Sequence, residues 1–154
     1  MKRLVTGLLV ALVSCGSLAE RAAADGPALR VEQAWIQPAK AGQFETWAFA
    51  TITNDGAADA LVAVTSPDAS SIVLRAATVT DAGRKMRTVI AIPLPAHGAL
   101  TLSPDAYLLA FINVRSPLTA GDSVTGSFRF MSGAALAVTF RVRESEGDPA
   151  DAGR

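Results

Sequence analysis

Residues 122–143 read DSVTGSFRFMSGAALAVTFRVR and contain two runs in which apolar and polar side chains alternate. The apolar positions of the two runs are Val124, Phe128, Phe130, Leu136, Val138, Phe140 and Val142. A period of two residues is typical of a strand with one buried face. Ser132 and Gly133 lie between the runs, and this pair of turn residues predicts a β-hairpin.

Seven more segments upstream show short strand-like runs that turn residues separate. The predicted strands are 29–36, 44–53, 59–66, 71–79, 86–92, 99–102 and 107–115, followed by the two runs at 122–130 and 134–143. Because no window in this region shows the period of a helix, the sequence predicts an all-β sandwich or Greek-key barrel of about nine short strands. The large aromatic residues expected in its core are Trp35, Phe44, Trp47, Phe49, Phe111, Phe128, Phe130 and Phe140.

The composition limits the function classes that are open. The 154 residues are 50% hydrophobic and 18% charged, which suits one folded domain with its own core. The 14 basic residues are balanced by 14 acidic residues, and this argues against a nucleic-acid binder, which would need a basic excess to neutralise phosphates. A single Cys and a single His exclude a disulfide framework, a multi-thiolate metal centre and a site of several imidazoles.

The start of the chain looks like an export signal. Residues 1–3 give a positive start, and residues 4–13 form an apolar run of ten residues. This run is shorter than the roughly 20 residues of a membrane-spanning helix and fits the core of a secretory signal. Residues 12–15, Leu-Val-Ser-Cys, resemble a bacterial lipobox, in which the Cys thiol receives a diacylglyceryl group and the chain is cut before it. We therefore predict a lipoprotein-type signal peptide at 1–14, lipidation at Cys15 and a membrane partner through that anchor.

Cleavage near Ala24 is the alternative, because residues 22–24 form an A-x-A sequence. That cut would release a soluble periplasmic or secreted protein without Cys15. Both alternatives predict an exported domain that faces the periplasm or the cell exterior. Residues 15–27 are predicted to be a tether, residues 28–143 the folded domain and residues 144–154 a disordered tail.

The sequence lacks the constellations that catalysis needs. Its acidic residues are scattered through turns and tails without a paired arrangement, and there is no glycine-rich phosphate loop or nucleophile elbow. The single imidazole, His97, lies in the phrase PAHG at 95–98, where a solvated turn residue is expected. The protein is therefore predicted not to be an enzyme.

The order of several short phrases carries a family resemblance. The phrases are VEQAWI at 31–36, TITNDG at 51–56, LVAVTSP at 61–67, PLPA at 93–96, LTLSP at 100–104 and PLTAGD at 117–122. This succession resembles the PCu(A)C family of exported copper chaperones over residues 30–142. The resemblance implies a cupredoxin-like β-sandwich. It also implies a role in carrying Cu(I) outside the cytoplasm, toward the binuclear copper site of cytochrome c oxidase.

The resemblance also implies four copper positions, of which one matches. The family binds copper through a His, ten residues, a Met, twenty-one residues, a His, one residue and a Met, and these thioether and imidazole donors suit the soft Cu(I) ion. Anchored on Met86, the spacing places Arg75, Leu108 and Ala110 at the other three positions. Leu108 and Ala110 have no electron pair to donate, and Arg75 brings a fixed positive charge. Met86 is then the one retained family ligand of a degenerate site.

Two classes of function stay open at this point. The first is an accessory protein of copper handling that binds copper weakly, through an altered site or only with a partner. Met86, His97 and Met131 would form such an altered site if their loops converge. The second is a binding or scaffold module in which a basic patch replaces the metal pocket and engages an acidic protein partner, lipid phosphates or a small anion. The residues of that patch are Arg75, Arg84, Lys85 and Arg87.

Overall fold

The computed structural model describes residues 28–145, which fold into strands joined by turns. The strands are β1 (Leu29–Ile36), β2 (Glu45–Asn54), β3 (Asp59–Thr65), β4 (Ala69–Thr80), β5 (Gly83–Thr88), β6 (Ile92–Leu94), β7 (Gly98–Thr101), β8 (Tyr107–Val114), β9 (Ser123–Phe130) and β10 (Ala135–Val142). The all-β prediction is confirmed. The predicted signal peptide, the lipidation site at Cys15, the alternative cut near Ala24 and most of the predicted tail lie outside the described residues. Within them, no helix has the length and hydropathy to cross a bilayer.

The single strand predicted at 86–92 is wrong, because the chain changes partner inside it. Strand β5 pairs with β4, whereas β6 pairs with β3. Ile90, which lies between β5 and β6, is 93% exposed. Alternation of apolar side chains reports which positions are buried, and it carries no information about which strand the backbone pairs with.

Strand β1 joins the two halves of the sandwich, which consist of β5, β4, β8, β2 and β7 on one side and β10, β9, β3 and β6 on the other. The strand order is β5-β4-β8-β2-β1-β10-β9-β3-β6, with β7 also pairing β2. β1 runs antiparallel to β2, and it pairs in parallel with β10 at Trp35 and Ile36. The register on β2 shifts between Glu32 and Trp35, where Gln33 adopts a φ of 51°. Since a bulge bends a strand and increases its twist, this one lets β1 leave one half and reach the other.

The main core lies between the halves and is rich in phenylalanine. The ring of Phe140 meets Phe111 edge-on at a centroid distance of 5.5 Å and lies 5.9 Å from Phe128. Gly126 interrupts the alternation of β9 for a steric reason. A Cβ at this position would lie 3.2 Å from the Phe140 ring and 3.1 Å from the carbonyl oxygen of Thr65, so the close approach requires glycine.

The expected aromatic core is confirmed for five residues, which are Phe49, Phe111, Phe128, Phe130 and Phe140. It is wrong for Phe44, whose side chain is 67% exposed. Phe44 precedes β2, and the contact that holds it is made by its carbonyl oxygen, which accepts a hydrogen bond from the N–H of Asn113 at 2.9 Å. Trp35 and Trp47 are half-buried.

The predicted β9–β10 hairpin forms, and a carboxylate from β3 holds its turn. Asp59 Oδ2 accepts a hydrogen bond from the Ser132 hydroxyl at 2.5 Å, and Oδ1 accepts one from the Ser132 N–H at 3.0 Å. Burial acts to raise the pKa of Asp59. Hydrogen bonds from the Ser132 hydroxyl and from the N–H groups of Ala60, Ser132 and Met131 outweigh it, so the pKa lies below its ordinary value. The turn is therefore fastened by an ionised group at neutral pH.

Candidate functional site

The four positions that the family resemblance assigns to copper share one face of the sheet. Arg75 on β4 lies opposite Leu108 on β8, and Ala110 follows two residues later on β8. Met86 on β5 lies opposite Ala77, which is two residues after Arg75 on β4. Because side chains two apart on a strand point the same way, all four positions face the same side.

That side, the outer face, lies opposite the face that carries Phe111, although Leu108 and Ala110 belong to the same buried hydrophobic cluster. Leu74 and Leu109 alternate with Arg75 and Leu108 along the same two strands, and they lie opposite each other on the face that carries the core residue Phe111. On the outer face, Leu108 and Ala110 nevertheless have 0% exposure. Other side chains on this face must therefore cover them.

An ion pair crosses β8 on the outer face. Arg75 Nη2 lies 2.7 Å from Glu45 Oε2, although β8 separates their strands, β4 and β2. In the strand register, Arg75 lies opposite Leu108 and Glu45 lies opposite Ile112. The ion pair therefore runs diagonally over Ala110, which lies between Leu108 and Ile112 on β8. Ala110 presents a single methyl group at this crossing.

Trp47 completes the arrangement. Its Nε1–H donates a hydrogen bond to Glu45 Oε1 at 2.7 Å, so both carboxylate oxygens are engaged, and its backbone lies opposite Ala110. The side chains of Arg75 and Glu45 are 24% and 23% exposed, which screens their attraction less than full exposure would. The Nε atom of Arg75 is buried and has no hydrogen-bond partner among the described residues. We call Arg75, Glu45 and Trp47 the outer bridge.

The outer bridge changes the electrostatics expected from the sequence. Arg75 was expected to present an uncompensated positive charge, but Glu45 neutralises it at 2.7 Å. Glu45 and Trp47 were not predicted as part of the site. Their spacing of two residues on β2 places them on one face, but their meeting with Arg75 depends on β2 and β4 both flanking β8, which the sequence does not display.

The residues present do not fit a family-type copper site. Met86 contributes a thioether sulfur, but its half-buried side chain packs against the hydrophobic core. Leu108 and Ala110 offer no donor atom, and Arg75 points its guanidinium into an ion pair. Cu(I) prefers thioether and imidazole donors, and this face brings together one such side chain.

The four cations of the predicted basic patch do not form one surface. Arg75 and Arg84 both lie in ion pairs, with Glu45 and with Asp105 respectively. Lys85 and Arg87 alternate with Arg84 and Met86 on β5, so their side chains point to the opposite face. Two of the four charges are thus compensated, and the other two face elsewhere.

The residues of the alternative copper set, Met86, His97 and Met131, lie on different elements of the fold. Met86 lies on β5 at one end of the strand order, whereas His97 and Met131 follow β6 and β9 near the other end. His97 is an exposed turn residue with a φ of 48°, and Met131 is 69% exposed. Across residues 28–145, no three or more His, Cys, Asp or Glu side chains are placed to hold a metal ion.

A second feature lies where β1 meets β10. Gln33, Ala34, Trp35, Arg141 and Arg143 line an open groove of about 470 Å³. The Arg143 guanidinium carbon lies 4.4 Å from the centroid of the Trp35 ring, within the range of a cation–π contact. Alternation along β10 places Arg141 and Arg143 on its polar face. The sequence does not indicate that Trp35 lies beside them, because parallel pairing of the first and last strands is a long-range feature.

Comparison with known proteins gives the family. Residues 29–142 match the family described as "Putative lipoprotein LpqE-like". The chain belongs to the LpqE-like family. A curated relative from Leifsonia xyli subsp. xyli (strain CTCB07), "Putative lipoprotein Lxx21020", is 26% identical over 149 residues, which cover 93% of this chain and 89% of the relative.

Solved structures similar to this LpqE-like chain are copper-protein domains. The solution structure of Cu(I)-DR1885 from Deinococcus radiodurans is 28% identical, has a TM-score of 0.63, and the match covers 83% of this chain and 87% of that one. The apo PCuAC domain from PmoF1 is 22% identical with a TM-score of 0.65, over 79% of this chain and 98% of that one. The cupredoxin-like fold that the sequence resemblance implied is therefore confirmed.

Proposed function

We propose that this LpqE-like chain is an exported, lipid-anchored accessory protein of extracytoplasmic copper handling that does not itself hold Cu(I) tightly. The observation that carries the proposal is the outer bridge, which occupies the face where the family resemblance assigns the copper ligands. The scaffold is that of a copper carrier, while three of the four assigned positions, Arg75, Leu108 and Ala110, carry no donor for Cu(I).

The copper-handling part of the proposal is supported by similarity across most of the domain. Cu(I)-DR1885, whose solution structure is that of the Cu(I) form, is 28% identical to this chain, and the match covers 83% of this chain. The absence of tight binding is supported by chemistry. A Cu(I) ion at this face would have one thioether, because neither Leu108 nor Ala110 offers a second soft donor.

A competition titration tests the copper part. The full chain, purified from membranes, should take no Cu(I) from a chromogenic chelator that withholds it from weak sites. Tight, stoichiometric binding would refute the proposal. The variant Arg75→His/Leu108→His/Ala110→Met supplies the missing donors and should gain affinity for Cu(I). If this variant keeps its β-sheet circular dichroism and gains no affinity, the assigned positions are not the equivalents of the family's ligands.

The anchor is the second part, and it rests on Cys15 and on the family's description as lipoproteins. Metabolic labelling with a fatty acid should mark the native chain and leave Cys15→Ser unmarked. Ser17→Ala is the matched control and should be labelled like the native chain. Equal labelling of Cys15→Ser and the native chain would mean that the chain is not anchored through this thiol.

The alternative function, a scaffold lipoprotein that engages an acidic partner or an anion through Arg75, Arg84, Lys85 and Arg87, has less support. Two of these cations are held in ion pairs, and each pair must open before its guanidinium can bind another anion. Lys85→Gln with Arg87→Gln would separate the two functions, since the copper proposal predicts no effect of these changes on copper handling.

A further inference from the structure

Strands β9 and β10 present a basic surface without acidic side chains. Its outward residues are exposed and are Ser123, Thr125, Ser127, Arg129, Ala135, Ala137, Thr139, Arg141 and Arg143. Within residues 28–145, none of the three arginines lies at ion-pair distance from a carboxylate, and the ion pairs of that range involve Arg30, Arg75 and Arg84. Three guanidinium groups thus remain available to anions on one surface.

Trp35 orients one of these groups at the rim of the groove. The Arg143 guanidinium stacks on the indole at 4.4 Å, and Trp35 is itself held by Phe49, with ring centroids 4.6 Å apart. A guanidinium that stacks on a ring directs its N–H donors outward in its own plane, which suits paired hydrogen bonds to a carboxylate. Arg141 lies opposite Trp35 in the parallel ladder, so two arginines share this rim.

An open strand edge precedes the groove along β10. The backbone of Val142 exchanges hydrogen bonds with Gly121 and Asp122 on the β9 side, whereas the Arg143 N–H donates to Ile36 on the β1 side. Backbone groups alternate direction along a strand, so the N–H and C=O groups of Ala137 and Thr139 point toward β1.

β1 does not pair with this part of β10. Its pairing is confined to Trp35 with Arg141 and Ile36 with Val142, because the bulge at Gln33 turns its earlier residues away. Within the described residues, the edge of β10 from Ala135 to Thr139 is therefore not paired to a strand. An unpaired edge is a template on which an extended peptide can add as a further strand.

We propose that this edge and groove bind an extended acidic segment of an exported partner protein. The backbone of the segment adds to β10 beside Ala137 and Thr139, and its carboxylates bind the guanidinium groups of Arg141 and Arg143. Charge complementarity selects an acidic segment over a neutral one. The proposal goes beyond copper handling and does not depend on it.

A peptide fits this surface better than a membrane does. Apart from the arginines, its outward residues are alanine, serine and threonine, and none of these offers a large apolar side chain to insert into a bilayer. The open backbone edge has donors and acceptors that an extended peptide satisfies and that lipid headgroups do not satisfy in register.

Binding of an acidic peptide to the full chain tests the proposal. The probe is a fluorescein-labelled peptide of alternating threonine and glutamate, and fluorescence anisotropy is measured at physiological ionic strength. The native chain should bind it. Arg141→Gln with Arg143→Gln should weaken binding by about a hundredfold, since each charge-assisted contact is worth about tenfold or more. The same peptide with glutamine in place of glutamate should bind no better than that variant.

The matched control removes the same charge elsewhere. Lys85→Gln with Arg87→Gln should leave peptide affinity within about twofold of native, since these exposed cations point away from the groove. An equal loss in this control would mean non-specific charge attraction and would overturn the proposal. Binding to phosphatidylglycerol vesicles that needs Arg141 and Arg143, without peptide binding, would also overturn it in favour of a membrane surface.

A separate variant tests whether the peptide adds to the backbone edge of β10. Thr139→Pro removes an N–H that points away from β9, so the β9–β10 ladder and the arginines stay in place while the added strand loses a donor. Peptide affinity should fall by about tenfold with unchanged circular dichroism. Undiminished binding would show that the segment does not add to the edge and would overturn that part of the proposal. Variants of the outer bridge should leave peptide binding unchanged, which separates this test from the copper titration.

Discussion

Two arginines stand at opposite ends of one row of side chains that crosses the sheet. From β4 to β10 the row contains Arg75, Leu108, Phe49, Trp35 and Arg141. Phe49 lies opposite Leu108 because the register that pairs Ala48 with Leu109 continues by one residue. At about 4.8 Å per strand, the backbones of the end residues are about 19 Å apart. Arg75 is half-buried and bound to Glu45, whereas Arg141 is exposed. Burial therefore decides whether a cation on this face has a structural role or is available to a ligand.

Breaking the outer bridge should cause the largest loss in the free energy of unfolding. Glu45→Leu leaves Arg75 half-buried without a counter-charge and Trp47 Nε1–H without an acceptor, so the free energy of unfolding should fall by about 2–3 kcal/mol. Urea unfolding measures it. Arg141→Met, at the other end of the row, is the control and should stay within about 0.5 kcal/mol of native.

The double variant Glu45→Leu/Arg75→Met tests whether Arg75 and Glu45 stabilise the fold as a pair. Because it leaves no unpaired charge, it should recover at least half of the loss caused by Glu45→Leu alone. A double variant as unstable as the sum of its two single variants would mean that Arg75 and Glu45 do not act as a pair, and the contrast with Arg141 would fail.

A larger side chain at Ala110, under the outer bridge, should cause an intermediate loss in the free energy of unfolding. Ala110→Met puts a long side chain where the Arg75–Glu45 ion pair crosses β8, and overpacking of this kind should lower the free energy of unfolding by about 1–2 kcal/mol. Ala137→Met, on the exposed face of β10, is the matched control and should change it by less than about 0.5 kcal/mol. Equal stability of the two variants in thermal or urea unfolding would mean that the crossing leaves room above Ala110.

Removing an exposed ion pair should cause the smallest loss in the free energy of unfolding. Arg84 pairs with Asp105, but their side chains are 40% and 66% exposed. Arg84→Gln should lower the free energy of unfolding by less than about 0.5 kcal/mol, and added salt should remove even that difference. A loss as large as that of Glu45→Leu would contradict the view that burial separates the structural cations from the others.

The strands could be predicted because each depends on local alternation and turn residues. The hairpin at 122–143 is fixed by its own apolar period and by Ser132 and Gly133. The division of 86–92 could not be predicted, because it depends on β5 and β6 having partners in different halves of the sandwich. Phe44 was misplaced because its residue type favours burial while its position before β2 leaves it exposed.

The candidate sites depend on contacts across many residues, so they were only partly predictable. The shared face of Arg75, Leu108 and Ala110 follows from spacing and from the pairing of adjacent strands. The partner of Arg75 does not, because Glu45 reaches it over an intervening strand. The groove depends on a bulge at Gln33, a residue type that does not by itself indicate a positive φ.

The small size of Ala110 has an evolutionary consequence. We expect a methionine at this position to crowd the bridge, a histidine in place of Leu108 would enter a position with 0% exposure, and loss of Arg75 would leave the carboxylate of Glu45 without its counter-charge. We therefore expect each single substitution toward a set of metal donors to lower stability before that set is complete. The effects of substitutions at the three positions should depend on one another, so that a chain acquiring the donors one at a time would pass through less stable forms.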